Sequence, residues 1–134
     1  MENKEYIEWE NQVEVEKKIN HDLLLEFGQR LKSQKLKSKI IKNHRANIEL
    51  YINTFLLRNE IIPAQNGAKH IGYFLGDFFI RKASLVTKST IREFIAGFIN
   101  FYTFLNEIGK LSDIDLAEMK ELIKDEKDCW LEKV

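Results

Sequence analysis

The strongest constraint on this chain is the spacing of its apolar residues. Positions i, i+3, i+4 and i+7 are apolar from Ile48 to Phe55 and again from Ile71 to Phe78, and a longer stretch of the same kind runs from Ile91 to Leu105. This is the period of an α-helix with one buried face. One proline and six glycines leave few residues for the tight turns of a sandwich or barrel. The chain is therefore predicted to be all-α, a compact bundle of four to five helices.

Capping and turn signals set the expected helix boundaries. Asn20 is expected to open a helix that runs from His21 to about Ser33, and Ser38 is expected to cap the next one. A third helix is expected over residues 68–82. Thr90 and Glu93 fit a capping box for a fourth, and Gly109 is expected to end it. Ser112 is expected to open the last helix, with residues 1–20 as an acidic extension before a domain of residues 21–134.

Charge is segregated although the net charge is zero. Residues 1–20 carry a net charge of −3 and residues 111–134 a net charge of −4, whereas residues 21–60 and 61–110 carry +4 and +3. A partner experiences the local field rather than the total charge. We therefore expect any anionic partner to bind the middle of the chain.

Known catalytic and metal-binding patterns are absent from the sequence. The three histidines have no partner at helical spacing, and there is no H-E-x-x-H, phosphate-binding loop or nucleophile elbow. Cys129 alone forms neither an internal disulfide nor a cysteine zinc site. The prediction is a non-enzyme without metal or cofactor. An acidic beginning and short apolar runs further predict a cytoplasmic protein with no signal peptide and no membrane partner.

The segment from Arg30 to Arg45 is the sharpest functional feature. Its sixteen residues hold seven basic groups and no acidic one, and they span a helix end, a turn and a helix start. Phosphates attract this combination of cations and free helix N–H groups. A solvated basic surface is the plainer alternative. The candidate contacts here are Lys35, Lys37, Lys39, Lys42 and Arg45.

A second basic cluster stands at the start of the fourth predicted helix. Its candidate contacts are Lys88, Ser89 and Arg92. Ordinary helix capping would also account for the polar residues here. If both helix starts lie on one side of the protein, the two clusters form one surface. The aromatic stripe of Phe74, Phe78, Phe79, Phe94, Phe98, Phe101 and Tyr102 follows the helical period and is expected to be core rather than a base-stacking platform.

The order of these motifs resembles the N-terminal SAM-like, core-binding domain of phage integrases and other tyrosine recombinases. Residues 36–45 resemble the first turn and second helix of that domain, residues 71–80 its third helix, and residues 89–105 its fourth. The resemblance implies a helical clamp on duplex DNA. By position, it implies contacts from Lys37, Lys39, Lys42 and Arg45 on the second helix and from Lys88, Ser89 and Arg92 on the fourth.

The chain departs from the family pattern at several positions. Ile40 and His44 replace the family's Thr and Tyr, the closing Asn-Pro is missing, and no H-x-x-R of a catalytic domain occurs. We therefore expect a non-catalytic, stand-alone DNA-binding domain. The alternative is a protein-interaction or oligomerisation module that keeps the scaffold and docks a partner or a second copy through its acidic ends.

Overall fold

The computed structural model describes residues 3–134, and all regular secondary structure in that range is helical. The all-α prediction is therefore confirmed. No helix among these residues is long and apolar enough to cross a membrane. The helices are α1 (Asn3–Ser33), α2 (Ser38–Glu49), α3 (Ile71–Tyr73), α4 (Phe79–Lys82), α5 (Lys88–Glu107) and α6 (Asp113–Glu132), with π-helical segments at Leu50–Phe55 and Phe74–Phe78 and a 3₁₀ segment at Ala64–Lys69.

The chain divides into two compact units. The first ends at Ala64 and the second begins at Gln65. The first contains α1, α2 and the π-helical segment that continues α2, and the second contains the remaining helices.

Helix α1 is a single helix of 31 residues. The predicted helix start at Asn20 is therefore wrong, and the helix continues through the boundary expected between residues 20 and 21. Asn20 is buried, and its Nδ2 donates to the Ile52 carbonyl oxygen at 3.3 Å and to Asn53 Oδ1 at 2.8 Å. A capping residue signals a helix start only when its side chain turns back onto its own backbone, and this one reaches another segment.

The π-helical segment after α2 explains the role of Asn20. The Leu56 N–H donates to the Tyr51 carbonyl at 2.9 Å, a bond from i+5 to i, so the ladder of i+4 bonds is broken there. A displaced carbonyl in a buried segment needs a donor from elsewhere. The Asn20 amide supplies one to Ile52, so one polar side chain fastens α1 to the distorted end of α2.

Aromatic rings form the core of the second unit, as predicted. The Phe74 ring lies 5.3 Å from Phe79, 5.4 Å from Phe94 and 6.1 Å from Phe98, measured between centroids. Every ring of the predicted stripe is buried except Phe78, which is half-buried. Edge and tilted ring contacts of this kind add stability beyond the buried area.

Two glycines face α6, and Gly76 allows the closer approach, whereas a Cβ on Gly72 would make ordinary van der Waals contact. A Cβ on Gly76 would lie 3.1 Å from Trp130 Nε1, and a Cβ on Gly72 would lie 3.5 Å from the Leu122 side chain. Lys133 Nζ also donates to the Gly76 carbonyl at 2.6 Å. The glycines are therefore positioned for helix contact, which offsets their poor helix propensity.

The capping predictions for the last two helices have different outcomes. Thr87, and not Thr90, is the N-cap of α5: its hydroxyl accepts from the Thr90 N–H, and Thr90 Oγ1 accepts from the Thr87 N–H. The predicted box of Thr90 with Glu93 is wrong by three residues because a hydroxyl repeats at that interval. Gly109 ends α5 at φ 80° and Ser112 caps α6, both as predicted.

We predict that Asn20→Ala lowers the free energy of unfolding by about 1–3 kcal/mol, because both of its buried hydrogen bonds disappear together. Urea denaturation measures the change in the free energy of unfolding. Asn43→Ala, an exposed position on α2, is the matched control and should stay within about 0.5 kcal/mol. Equal effects of the two variants would show that Asn20 does not fasten the π-helical segment.

Candidate nucleic-acid interface

The turn between α1 and α2 brings the basic residues of the first unit together. The Lys35 N–H donates to the Lys32 carbonyl at 2.9 Å, and the Leu36 N–H donates to the Leu31 carbonyl at 3.4 Å. These are the two bonds of a Schellman motif, which usually has glycine at its left-handed position. Lys35 occupies that position here with φ 62°. A cation therefore stands where backbone geometry favours glycine.

Four lysines follow one another around this turn with their side chains in solvent. Lys35, Lys37, Lys39 and Lys42 are all exposed. None of them forms an ion pair or hydrogen bond through its side chain with another described residue. Their charges are therefore available to a partner.

The amino terminus of α2 has no side-chain cap. Lys37 is its N-cap residue, and neither this lysine nor an acidic residue in the first turn satisfies the free N–H groups. The predicted cap at Ser38 is wrong, because Ser38 is already the first helical residue. By contrast, the Ser112 hydroxyl accepts from the Asp115 N–H in α6. The start of α2 therefore offers unfilled donors to an anion.

Arg45 differs from the lysines because it lies against α1. Its Cδ and Nε would be 3.0 and 3.3 Å from a Cβ on Gly28, so a larger residue at position 28 would require the Arg45 side chain to shift by a few tenths of an ångström. Arg45 Nε is buried and has no hydrogen-bond partner among the described residues. Sequence reasoning missed this contact, although a glycine inside an amphipathic helix is a signal of close approach.

The five candidates of the first cluster thus divide into two sets. Lys42 and Arg45 line a groove between α1 and α2, together with Lys32, which the sequence analysis did not select. Lys35, Lys37 and Lys39 do not line that groove. The cluster therefore has an outer set at the turn and a second set within a concave surface.

The second cluster lies in the second unit, at the start of α5. Lys88 Nζ donates to the carbonyl oxygens of Leu131 at 2.8 Å and Val134 at 3.0 Å, so it caps the end of α6. Ser89 and Arg92 are exposed on the first turn of α5. The Lys88 ammonium is thus already engaged, whereas Ser89 and Arg92 face solvent.

In the second unit, an ion pair and burial account for the pKa shifts of three titratable side chains. Arg81 Nη2 lies 3.0 Å from Asp77 Oδ2, which lowers the pKa of Asp77 and raises the pKa of Arg81. Burial raises the pKa of the Tyr102 hydroxyl far above its usual range. Cys129 is exposed. No group of three or more potential metal ligands occurs among residues 3–134.

No protein-family model, curated protein or solved structure matches the chain. The resemblance to the recombinase core-binding domain stays a prediction.

We predict that Lys35→Gly raises the free energy of unfolding by about 0.5–1 kcal/mol, because glycine adopts the left-handed conformation without the steric cost of a Cβ. Thermal or urea denaturation measures the change. Lys42→Gly is the matched control: it removes the same charge from an exposed position within α2 and should lower stability by about 1 kcal/mol, because glycine is a poor helix former. A loss of stability in Lys35→Gly would contradict this account of the turn.

Proposed function

We propose that this chain is a non-catalytic DNA-binding domain that holds duplex DNA through its phosphates at the turn between α1 and α2. One observation carries the proposal. The segment from Arg30 to Arg45 holds seven cations and no carboxylate, and it forms a helix end, a tight turn and an uncapped helix start.

The position of the lysines relative to the helix dipoles favours an anionic partner. Arg30 and Lys32 lie in the last turn of α1, where the negative end of the helix dipole stabilises cations. Lys39 is different, because it stands in the first turn of α2, where the helix dipole opposes a positive charge. A bound phosphate would reverse this unfavourable arrangement by interacting with both the ammonium and the free N–H groups.

The surface suits a polymer of phosphates better than a single small anion. The three lysines of the outer set occupy alternate positions from 35 to 39 along the turn, and each is exposed. Each phosphate neutralised by a lysine releases condensed counterions, which drives sequence-independent association with duplex DNA. Contacts of this kind position a protein on DNA, and base contacts from neighbouring side chains such as Asn43 would add sequence preference.

The core-binding arm of tyrosine recombinases serves as the model for this proposal. The resemblance adds the start of α5, in the second unit, as a second candidate contact with DNA, where Ser89 and Arg92 are exposed. The chain would then act as a stand-alone DNA-holding domain.

We predict that the triple variant Lys35→Ala/Lys37→Ala/Lys39→Ala binds duplex DNA much more weakly than the wild type. Because the variant lacks three ammonium groups that neutralise phosphates, the slope of log K against log salt should fall in magnitude by about 2–3. Fluorescence anisotropy with a random duplex at several salt concentrations measures both quantities.

The matched control for this variant is Lys120→Ala/Lys124→Ala/Lys127→Ala, which removes three exposed lysines from α6. It should bind as the wild type does. Equal binding by the turn variant and the wild type would reject the proposed function.

We predict further that Ser89→Ala/Arg92→Ala weakens binding to the same duplex by several-fold and reduces the salt slope by about 0.9, the value for one cation. Lys69→Ala, which removes one exposed charge elsewhere in the second unit, is the control. If the Ser89/Arg92 variant bound normally while the turn variant did not, DNA contact would be confined to the first unit and the recombinase model would fail.

A further inference from the structure

The groove between α1 and α2 has the properties of a docking surface for an acidic helix. Its volume is about 740 Å³. Leu25, Leu36 and Ile41 supply apolar lining, and Leu25 is 44% exposed. Grooves with apolar walls are a common receptor for amphipathic helices, which bury one face in them.

Charge defines the kind of helix that fits. Lys32, Lys42 and Arg45 line the groove, and Glu49 is the one acidic residue among the lining side chains. Arg45 Nε is buried there without a hydrogen-bond partner among the described residues. A carboxylate in the groove would pair with the charge of the half-buried Arg45 guanidinium.

The amino-terminal half of α1 is an acidic helix with an exposed apolar residue, as this groove requires. Residues 3–16 hold five glutamates and one lysine, and all of them are in α1. Ile7 is 55% exposed, and Glu10 and Glu14 are also exposed. Spacings of three and four residues place these three side chains on one helix face.

The side of α1 that carries Ile7, Glu10 and Glu14 also forms a wall of the groove farther along the helix. Leu25, Gly28 and Lys32 follow Ile7, Glu10 and Glu14 by 18 residues each, and 18 residues are about five helical turns. The acidic face and the groove wall therefore share one side of a single helix. Two copies of α1 laid antiparallel would pair the acidic half of each with the basic half of the other.

We propose that this chain forms a symmetric dimer in which the acidic half of α1 of each copy occupies the groove of the other. Placing Glu10 opposite Lys32 of the second copy sets Glu14 opposite Gly28, and Gly28 is where Arg45 lies. A two-fold axis relates the two copies, so each acidic half makes the same contacts with the groove of the other copy. This is the usual form of a homodimer interface. In this register positions 35 and 37 come opposite Ile7 and Glu5 of the second copy, so the lysines of the turn border the interface although they do not line the groove.

A charge-swap experiment tests this dimer. Sedimentation velocity at low salt should show the wild type as a dimer. The acid variant Glu10→Lys/Glu14→Lys and the base variant Lys32→Glu/Arg45→Glu should each associate at least about tenfold more weakly, because like charges then face each other. An equimolar mixture of the two variants should recover the dimer, since both contacts become complementary again.

Circular dichroism of each variant establishes that it is folded. The control is Lys120→Glu/Lys124→Glu, which makes the same charge change at two exposed positions of α6, outside the groove and the turn, and should dimerise as the wild type does. A wild-type chain that stays monomeric would overturn the proposal. So would folded variants that dimerise normally, or a mixture that stays monomeric. A wild-type chain that dimerises but does not bind DNA would support the dimer and contradict only the proposed function.

Discussion

The backbone turn after α1 is the constraint on which the proposed DNA-binding surface depends. Hydrogen bonds from Lys35 to Lys32 and from Leu36 to Leu31 end α1, and α2 starts at Ser38. Seven cations from one short segment are thereby folded back on themselves without an intervening carboxylate. Their mutual repulsion is offset by the buried apolar residues beneath them, which include Leu31 and Ile48.

Charge segregation along α1 has a structural explanation in the helix dipole. Glutamates at the amino end and cations at the carboxyl end both complement the helix dipole, so the pattern is compatible with a stable, isolated helix. Lys39 at the start of α2 is not explained in this way. The residues that oppose the dipole are therefore the better guide to a partner than the total number of cations.

Close approach between helices depends on a few small or polar side chains in this protein. Gly28 leaves room for Arg45, Gly76 leaves room for Trp130, and Asn20 satisfies a carbonyl displaced by a π-helical turn. Each of these positions is unfavourable or neutral when considered within its own helix. Their effect on stability lies in the contact that they permit, which is why propensity alone misjudges them.

The sequence by itself determined the helical class, the aromatic core of the second unit and the location of the basic segment, because apolar periodicity and charge are local properties of the chain. It also placed the end of α5 and the start of α6 correctly, since Gly109 and Ser112 act on their own backbone. Only the tertiary structure decided that Asn20 is buried inside a continuous α1, that Lys88 caps α6, and that Arg45 lies in a groove against Gly28. Those three outcomes depend on which distant segment each side chain meets, and local spacing does not identify that segment.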